Sequence, residues 1–221
     1  LIRRQRQMCI RDRYEEKRAA ARKKLLQIAS ALIGYEAPDD AMLIATSGRY
    51  EFKNKGIDMY VDALNRLRLR YKGEREIIAF VMVPAWVKEP RADLQERLQS
   101  GASYTTPLPE PYITHTLYNP ADDKVSNQIR YCGFPQTPDS KLKIIFIPSY
   151  LTGNDGIVDF SYYDTLIGFD ATAFPSYYEP WGYTPLESIA FGVPTVTTDL
   201  SGFGMWIKSM ANYGLEGKGV A

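Results

Sequence analysis

The alternation of apolar and polar residues changes period several times along the chain, and each change predicts a new element. Residues 14–33 carry apolar side chains at helical spacing and stop at Gly34, which predicts one amphipathic helix. Short apolar runs predict buried strands at 41–47, 75–85, 141–151, 171–176 and 194–199. Helical spacing or helix-start signals predict helices at 57–67, 88–99, 159–169 and 183–192.

Residues 101–140 interrupt this pattern, because they lose the periodicity and contain six prolines among polar residues. Long loops are uncommon in compact domains, so we expect an irregular insertion here. Elsewhere strands alternate with helices, which predicts an α/β fold built on a right-handed, doubly wound parallel sheet. Ligands of such sheets bind at the carboxyl ends of the strands.

Composition narrows the class of protein. A chain of 221 residues with 45% hydrophobic and 24% charged positions is long enough for one large α/β domain or two small ones. No apolar run approaches the ~20 residues of a membrane span, and charge stands where a signal peptide would be apolar, so we expect a cytoplasmic protein without membrane contact. Two cysteines and one histidine exclude a disulfide framework and a cysteine zinc site. That histidine, His115, lies in a proline-rich segment, and we expect a surface or loop histidine there, not a catalytic one.

Basic residues concentrate at the start of the chain. Residues 1–24 hold ten of the 27 Lys and Arg residues and three of the 26 Asp and Glu residues. No aromatic interleaving or reading motif accompanies them, so we expect a solvated segment and no nucleic-acid binding. The stretch "QMCIRDR" resembles translated sequencing-adapter read-through, and we interpret residues 1–13 as a non-native leader. The end, "GLEGKGVA", follows an unfinished αβ unit, so we expect a C-terminal truncation.

The segment "FPSYYEPWGYTPLES" (174–188) lies between a predicted strand and a predicted helix, at the ligand-binding rim. Thr184, Pro185 and Glu187 form a capping-box pattern that predicts Thr184 as the N-cap. Gly182 lets a ligand approach the backbone. The N–H groups of Tyr183 and Thr184 then point at the ligand with the positive end of the helix, which favours a phosphate.

Other charged residues complete a candidate site. Glu179 precedes Glu187 by eight positions, so the two carboxylates can bracket a ligand and accept bonds from sugar hydroxyls. The other rim loop offers Arg49 and Lys55, flanked by glycines, as a fork and a point charge for phosphate. D-x-D, P-loop and G-x-G-x-x-G motifs do not occur, so we expect the cations and backbone amides to hold phosphates without a metal ion. A nucleotide sugar is the ligand that fits these residues best. Residue types alone leave two alternatives open, a purely capping Glu187 and a solvated charged loop at Arg49 and Lys55.

The stretches "ATSGRYEFKNKGID" and "FPSYYEPWGYTPLESIAFGVPTVTTDLSGFG" closely resemble the animal and fungal type of glycogen synthase, a retaining glycosyltransferase with two Rossmann-like domains. The paired glutamates match the E-x7-E signature of that superfamily. The resemblance runs from about Glu15 to Gly204. It implies that an acceptor domain belongs upstream and that an arginine-rich regulatory helix belongs downstream. Residues 14–40 would then be a helical connection from the missing domain, and residues 41–221 the nucleotide-sugar-binding domain.

The resemblance also implies roles for individual residues. Arg49 and Lys55 would bind the diphosphate, and Glu179 would hold the glucose hydroxyls. Backbone contacts to the phosphates would come from Gly182, Tyr183 and Thr184, the ribose contact from Glu187, and the uracil sandwich from Tyr150 and Tyr162, with Tyr150 replacing a more usual Phe.

The implied reaction is transfer of glucose from UDP-glucose to the non-reducing end of an α-1,4-glucan with retention, with no cofactor and no metal. UDP-glucose and the glucan would be the partners. The full-length protein could also form a homo-oligomer. We also weigh a nucleotide-sugar-binding module that cannot catalyse transfer, and another transferase of the same architecture such as a sucrose-synthase-like enzyme. The choice between UDP and ADP stays open.

Overall fold

A computed structural model describes residues 2–102 and 104–210, with side chains described from residue 13 onward. The described residues form seven helices and seven strands. In chain order they are α1 (Ile2–Ile33), β1 (Met42–Ser47), α2 (Ile57–Arg68), β2 (Ile77–Met82), β3 (Val87–Pro90), α3 (Ala92–Ser100), β4 (His115–Leu117), α4 (Lys124–Cys132), β5 (Leu142–Ile147), α5 (Tyr162–Leu166), β6 (Ala171–Phe174), α6 (Tyr183–Ala190), β7 (Thr195–Thr197) and α7 (Gly202–Met210).

Five of the strands form one parallel sheet in the order β5-β2-β1-β6-β7, which confirms the predicted α/β fold. The chain moves outward from β1 to β2 and β5, then returns to the other side of β1 as β6 and β7. β1 pairs with β2 over all six residues, whereas its register with β6 covers Ile44 and Ala45. The strand order therefore reverses between β1 and β6, and a doubly wound sheet binds its ligand in the crevice at this point.

Both faces of the sheet are buried at β2 and β5, as the continuous apolar runs predict. Every residue of β2 and of β5 is buried. Side chains alternate between the faces, so Ile78 and Phe80 join a core with α1, whereas Ala79 and Val81 join a core with α2 and α4. The two cores together fix the loops at the ends of the strands.

Helix α1 packs on one face of the sheet, and ion pairs hold it near the amino-terminal end of β6. It begins at Ile2, twelve residues before the predicted start. Arg18 and Arg22 form ion pairs with Asp170 at 3.0 and 2.9 Å, and Asp170 also accepts a bond from the backbone N–H of Leu43 at 2.8 Å. Neither α1 nor any other helix of the described residues combines the length and the apolar character that a membrane span requires.

The structure corrects the prediction of an irregular insertion at 101–140. This region contains β4 and α4, and the side chain of Asp123 caps α4 by accepting a bond from the N–H of Ser126 at 2.7 Å. Val125 and Ile129 of α4 are buried against the sheet. An element of three or nine residues between prolines is too short to show a clear period, which is why the pattern missed both.

Two other helices also differ from the prediction. The helix predicted at 88–99 begins at Ala92, because Val87–Pro90 forms β3 and pairs antiparallel with β4. Helix α7 follows β7 and was not predicted at all. The predicted C-terminal truncation concerns residues outside the described ones.

His115 is a core residue, so the prediction of a surface histidine is wrong. Its side chain is 1% exposed. Its ring nitrogens lie 2.8 Å from the hydroxyl of Thr114 and 3.1 Å from the carbonyl oxygen of Asp155. Burial lowers the pKa of His115, although the nearby carboxylates of Asp155 and Asp159 oppose this shift. The histidine therefore ties β4 to the loop before α5.

Candidate functional site

A cleft of about 540 Å³ opens where the strand order reverses. It lies beyond the carboxyl ends of β1, β2 and β5 and at the start of α6, and its volume is within the range of small-molecule sites. The residues that line it are Ser47, Gly48, Arg49, Lys55, Met82, Pro84, Ser149, Tyr150, Leu151, Thr152, Tyr162, Glu179, Tyr183 and Thr184. Seven of the nine predicted site residues are among them, and Gly182 and Glu187 are not.

Lys55 and Glu179 form an ion pair inside the cleft. The side chains are 11% and 13% exposed, so water screens their attraction only weakly. The hydroxyl of Ser176 also donates to the Glu179 carboxylate, at 3.3 Å. The two charged residues come from different loops, one after β1 and one after β6, and they join the sides of the crevice.

Backbone contacts hold these two loops together. The N–H of Tyr177 donates to the carbonyl oxygen of Asn54 at 2.8 Å. Gly56 has a φ of 64° and precedes α2, and a Cβ atom at this position would lie 1.9 Å from the carbonyl oxygen of Pro175. Glycine is therefore required both by the left-handed backbone and by the close approach of the second loop.

Arg49 is held much more loosely than Lys55. Its side chain is 79% exposed and pairs with Glu51 at 3.1 Å. An exposed pair of this kind contributes ~0–1 kcal/mol, so an anion in the cleft can redirect the guanidinium at little cost. The cleft thus combines one fixed cation and one adaptable cation on the same loop.

Helix α6 begins two residues earlier than a cap at Thr184 requires, and the predicted capping box is wrong. Gly182 is the N-cap, with a φ of 95°, and it has no side chain to cap the first turn. Pro185 is therefore the third residue of the helix, and the carboxylate of Glu187 accepts a bond from the hydroxyl of Tyr163 at 2.9 Å. The first turn of α6 therefore has no side-chain cap that competes with a ligand for its free N–H groups, and its first two residues, Tyr183 and Thr184, line the cleft.

Two tyrosines, Tyr150 and Tyr162, also line the cleft. Tyr162, in α5, is half-buried, and its hydroxyl lies 2.8 Å from that of Ser47. Burial raises the pKa of Tyr162 to about 12, so the ring stays neutral at physiological pH. Tyr150 follows β5 and is 73% exposed, which leaves one face of its ring available to a ligand.

Glu187 is not among the residues that line the cleft. The bond from Tyr163 holds its carboxylate, and this bond raises the pKa of the Tyr163 hydroxyl. The ring of Tyr163 in turn stacks on Phe191, with centroids 5.0 Å apart. The two glutamates of the E-x7-E spacing therefore have different neighbours, and Glu179 alone of the two lines the cleft.

Sequence reasoning missed part of the wall. Ser47, Met82 and Pro84 all lie at or just beyond the carboxyl ends of β1 and β2, and Leu151 and Thr152 follow β5. Their position at strand ends was the signal that could have found them. Among the described residues, no group of three or more His, Cys, Asp and Glu side chains is arranged to hold a metal ion.

A parallel sheet of this order, with a mixed polar and apolar cleft at the reversal of strand order, defines a Rossmann-like ligand-binding domain. The family model described as "Glycogen synthase" matches residues 32–96 and 88–219. The chain belongs to the glycogen synthase family.

Curated relatives agree with this assignment. The chain is 30% identical over 238 residues to a glycogen [starch] synthase of Neurospora crassa, which covers 80% of the chain and 33% of the relative. It is 30% identical over 231 residues to glycogen [starch] synthase isoform 2 of Saccharomyces cerevisiae, and the match covers 78% of the chain and 33% of that relative. It is 28% identical over 220 residues to the liver glycogen [starch] synthase of Homo sapiens, and the match covers 77% of the chain and 31% of that relative. The chain thus spans about a third of the length of these relatives.

Proposed function

We propose that the chain is the donor-binding part of a glycogen synthase, which transfers glucose from UDP-glucose to the non-reducing end of an α-1,4-glucan with retention of configuration. The observation that carries this proposal is the meeting of Lys55, Arg49 and the start of α6 around one cleft. These are donors and positive charges from two loops, and a diphosphate is the part of a nucleotide sugar that needs them.

The diphosphate would lie between Lys55 and the first turn of α6. Backbone N–H groups of Tyr183 and Thr184 and the positive helix end would hold one phosphate, with Gly182 keeping the approach free of a Cβ atom. Arg49 would leave Glu51 and close over the outer phosphate. These fixed donors would stabilise the charge that develops on the departing UDP, which is the main electrostatic task in such a transfer.

The glucose would lie near Glu179, whose carboxylate can accept bonds from sugar hydroxyls once Lys55 turns to the phosphate. In the proposed reaction UDP departs on the face from which the acceptor attacks, and no residue of this chain acts as a covalent nucleophile. Tyr150 and Tyr162 would enclose the uracil ring. Glu187 is proposed to face the ribose beyond the cleft wall, with Tyr163 as its partner.

The acceptor and its binding groups would come from the rest of the protein, since the relatives are about three times as long as this chain. A module that binds the donor but cannot transfer is the corresponding proposal for the chain by itself. No metal or cofactor is part of the proposed mechanism. We also propose a cytoplasmic location. The proposal is compatible with either a monomer or a homo-oligomer of the full-length protein.

Calorimetric titration of the 221-residue chain with UDP, ADP and NAD, each with and without magnesium, tests the donor site. Saturable binding that favours UDP and does not depend on magnesium supports the proposal. A preference for ADP would mean that the donor is an ADP-linked sugar and not UDP-glucose. A preference for NAD would overturn the assignment of the cleft to a nucleotide sugar. Circular dichroism on the same sample verifies that the chain is folded.

A further inference from the structure

Tyr163 connects α5 to α6, the two helices that contribute residues to the cleft, although it does not line the cleft itself. Its hydroxyl donates to the carboxylate of Glu187 at 2.9 Å, and its ring stacks on Phe191 with the ring planes 9° apart. The N–H of Phe191 donates to the carbonyl oxygen of Glu187 at 3.0 Å, so these two residues are one helical turn apart. Side chains at this spacing share one face of a helix, and Tyr163 therefore contacts both at once.

The position of Tyr163 is set by the start of α5. Ser161 is the N-cap, and its hydroxyl accepts from the N–H of Asp164 at 3.2 Å. The carboxylate of Asp164 pairs with Lys17 of α1 at 2.7 Å. The ring of Tyr163 also meets the ring of Tyr162 edge to face, with centroids 5.3 Å apart. Since these contacts already hold the tyrosine in place, little further freedom is lost when its hydroxyl binds Glu187.

Glu187 lies close to the cleft, although it is not one of the lining residues. It follows Tyr183 and Thr184 of α6 by four and three positions, which places it one turn further along the same face of the helix, and both of those residues line the cleft. Burial raises the pKa of Tyr162, and the negative charge of Glu187 adds to this shift. The carboxylate is therefore near the cleft residue Tyr162 as well as near the start of α6.

These two neighbours define which part of a nucleotide would approach Glu187. In the proposed donor complex the base lies against Tyr162 and the diphosphate lies at the first turn of α6. The ribose joins the base to the diphosphate, so it would lie between them, on the side where Glu187 stands. A ribose offers two adjacent hydroxyl groups, and a carboxylate has about four acceptor positions. The single bond from Tyr163 thus leaves the carboxylate able to accept both hydroxyl groups.

A glutamate side chain at the surface of a helix has several rotamers, and binding must select one of them. The bond from Tyr163 makes this selection before a ligand arrives. An acceptor that is already oriented loses less conformational freedom on binding and so contributes more to affinity. The contribution of Glu187 to ribose binding should therefore depend on the Tyr163 hydroxyl.

We propose that Tyr163 is a positioning residue that orients the Glu187 carboxylate toward the ribose hydroxyls, so that the cleft prefers a donor with an intact ribose over one that lacks these hydroxyl groups. This inference rests on the proposed function, in which UDP-glucose occupies the cleft. It adds the residue that sets the preference for ribose. Tyr163 acts through Glu187 and does not touch the ligand.

Calorimetric titration of the 221-residue chain with UDP and with 2′,3′-dideoxy-UDP tests the proposal. The unaltered chain is expected to bind UDP about 10- to 30-fold more tightly, because the dideoxy compound has no hydroxyl group to donate to the carboxylate. Tyr163→Phe keeps the stacked ring and removes only the hydroxyl. Because the bond to Glu187 is exposed to water, this variant should lower the factor by about three- to fivefold and leave dideoxy-UDP affinity unchanged.

The matched control is Tyr131→Phe, since Tyr131 is an exposed tyrosine of α4 that does not line the cleft. It should preserve the full preference for UDP. Glu187→Gln should remove most of the preference, and adding Tyr163→Phe to Glu187→Gln should change nothing further, because the tyrosine acts through the carboxylate. A further loss in the double variant would show that Tyr163 contacts the ligand by itself and would overturn the positioning role.

The remaining outcomes separate this inference from the proposed function. UDP binding with equal affinity for dideoxy-UDP would overturn the inference and leave the donor site intact. The same holds if Tyr163→Phe and Tyr131→Phe show equal preferences, or if Tyr163→Phe weakens both ligands alike, which is the result of a purely structural role. Absence of UDP binding by a folded chain would instead defeat the donor proposal and the inference together.

Discussion

The carboxylate of Glu179 neutralises the ammonium group of Lys55 across the crevice between β1 and β6. The two residues are 124 positions apart in the chain, and each is largely shielded from water by the loops around it. In this arrangement the proposed phosphate-binding cation is occupied by the proposed sugar-binding carboxylate. Donor binding must therefore replace one ion pair with two separate interactions.

Replacing Glu179 with glutamine tests this exchange. We expect Glu179→Gln to lower the melting temperature, because Lys55 loses its counter-charge in a partly buried position. Added UDP should raise the melting temperature of the variant more than that of the unaltered chain, since the diphosphate restores the missing negative charge. Thermal unfolding with and without UDP measures both effects. An equal UDP-induced shift in the two proteins would show that Lys55 does not meet the phosphates.

The two cations of the first loop should differ in their effect on UDP binding. Lys55→Ala removes a fixed, weakly screened charge and is expected to reduce affinity by about 10- to 100-fold, whereas Arg49→Ala should cost about two- to tenfold. Calorimetric titration gives both values. Arg66→Ala removes a similarly exposed arginine outside the cleft and serves as the control. If neither Lys55→Ala nor Arg49→Ala changed the affinity, the assignment of the phosphate site would be wrong.

Gly56 should tolerate no side chain. Gly56→Ala combines a positive φ with a clash against the carbonyl oxygen of Pro175, and we expect it to lower the free energy of unfolding by roughly 2–4 kcal/mol. Gly101 has nearly the same φ, 61°, but among the described residues no heavy atom beyond its chain neighbours lies within 4 Å of the position that a Cβ atom would take there. Gly101→Ala should therefore cost about 1–2 kcal/mol, from backbone strain alone. Urea denaturation of both variants isolates the contribution of the loop contact, and equal losses would contradict it.

His115 should make stability depend on pH in a defined window. Burial holds its pKa in the folded state below the ordinary value of 6.5, so the unfolded chain binds more protons as the pH falls below that value. The contribution of His115 to the free energy of unfolding is therefore fully present above about pH 6.5. It is lost as the pH drops toward the lower, folded-state pKa. His115 is the single histidine of the chain, which leaves few other groups that titrate there.

The variant His115→Gln keeps a polar side chain without this titration. Its free energy of unfolding should be lower than that of the unaltered chain at about pH 7.5, and the gap should narrow toward about pH 5.5. Urea denaturation at several pH values measures the gap. A constant difference across this range would mean that His115 does not titrate between the two states.

The sequence predicted the sheet well because its strands are buried on both faces and therefore read as continuous apolar runs, as in β2 and β5. It predicted the cleft because a strand followed by a glycine and charged residues marks a ligand rim, and Arg49, Lys55 and Glu179 meet there. Local pattern could not reveal which partner each residue takes. The pairing of Lys55 with Glu179 joins loops that are adjacent only after β6 has returned beside β1.

The failures have similar causes. Thr184 has the chemistry of an N-cap, but Gly182 supplies the left-handed conformation that starts α6 two residues earlier in the chain. His115 lies in a proline-rich segment that looked exposed, yet its strand pairs with β3 and buries the ring. In both cases tertiary contacts or backbone geometry override a preference that the sequence alone suggested.

The contact between Gly56 and Pro175 has a consequence for protein engineering. Because the loop after β1 and the loop after β6 leave no room between them at this point, neither can be transplanted alone into another Rossmann-like scaffold. A graft would have to carry both segments, together with the register of β1 and β6 that sets their spacing. The two loops are the smallest transferable unit of this cleft, although a long stretch of intervening chain separates Gly56 from Pro175.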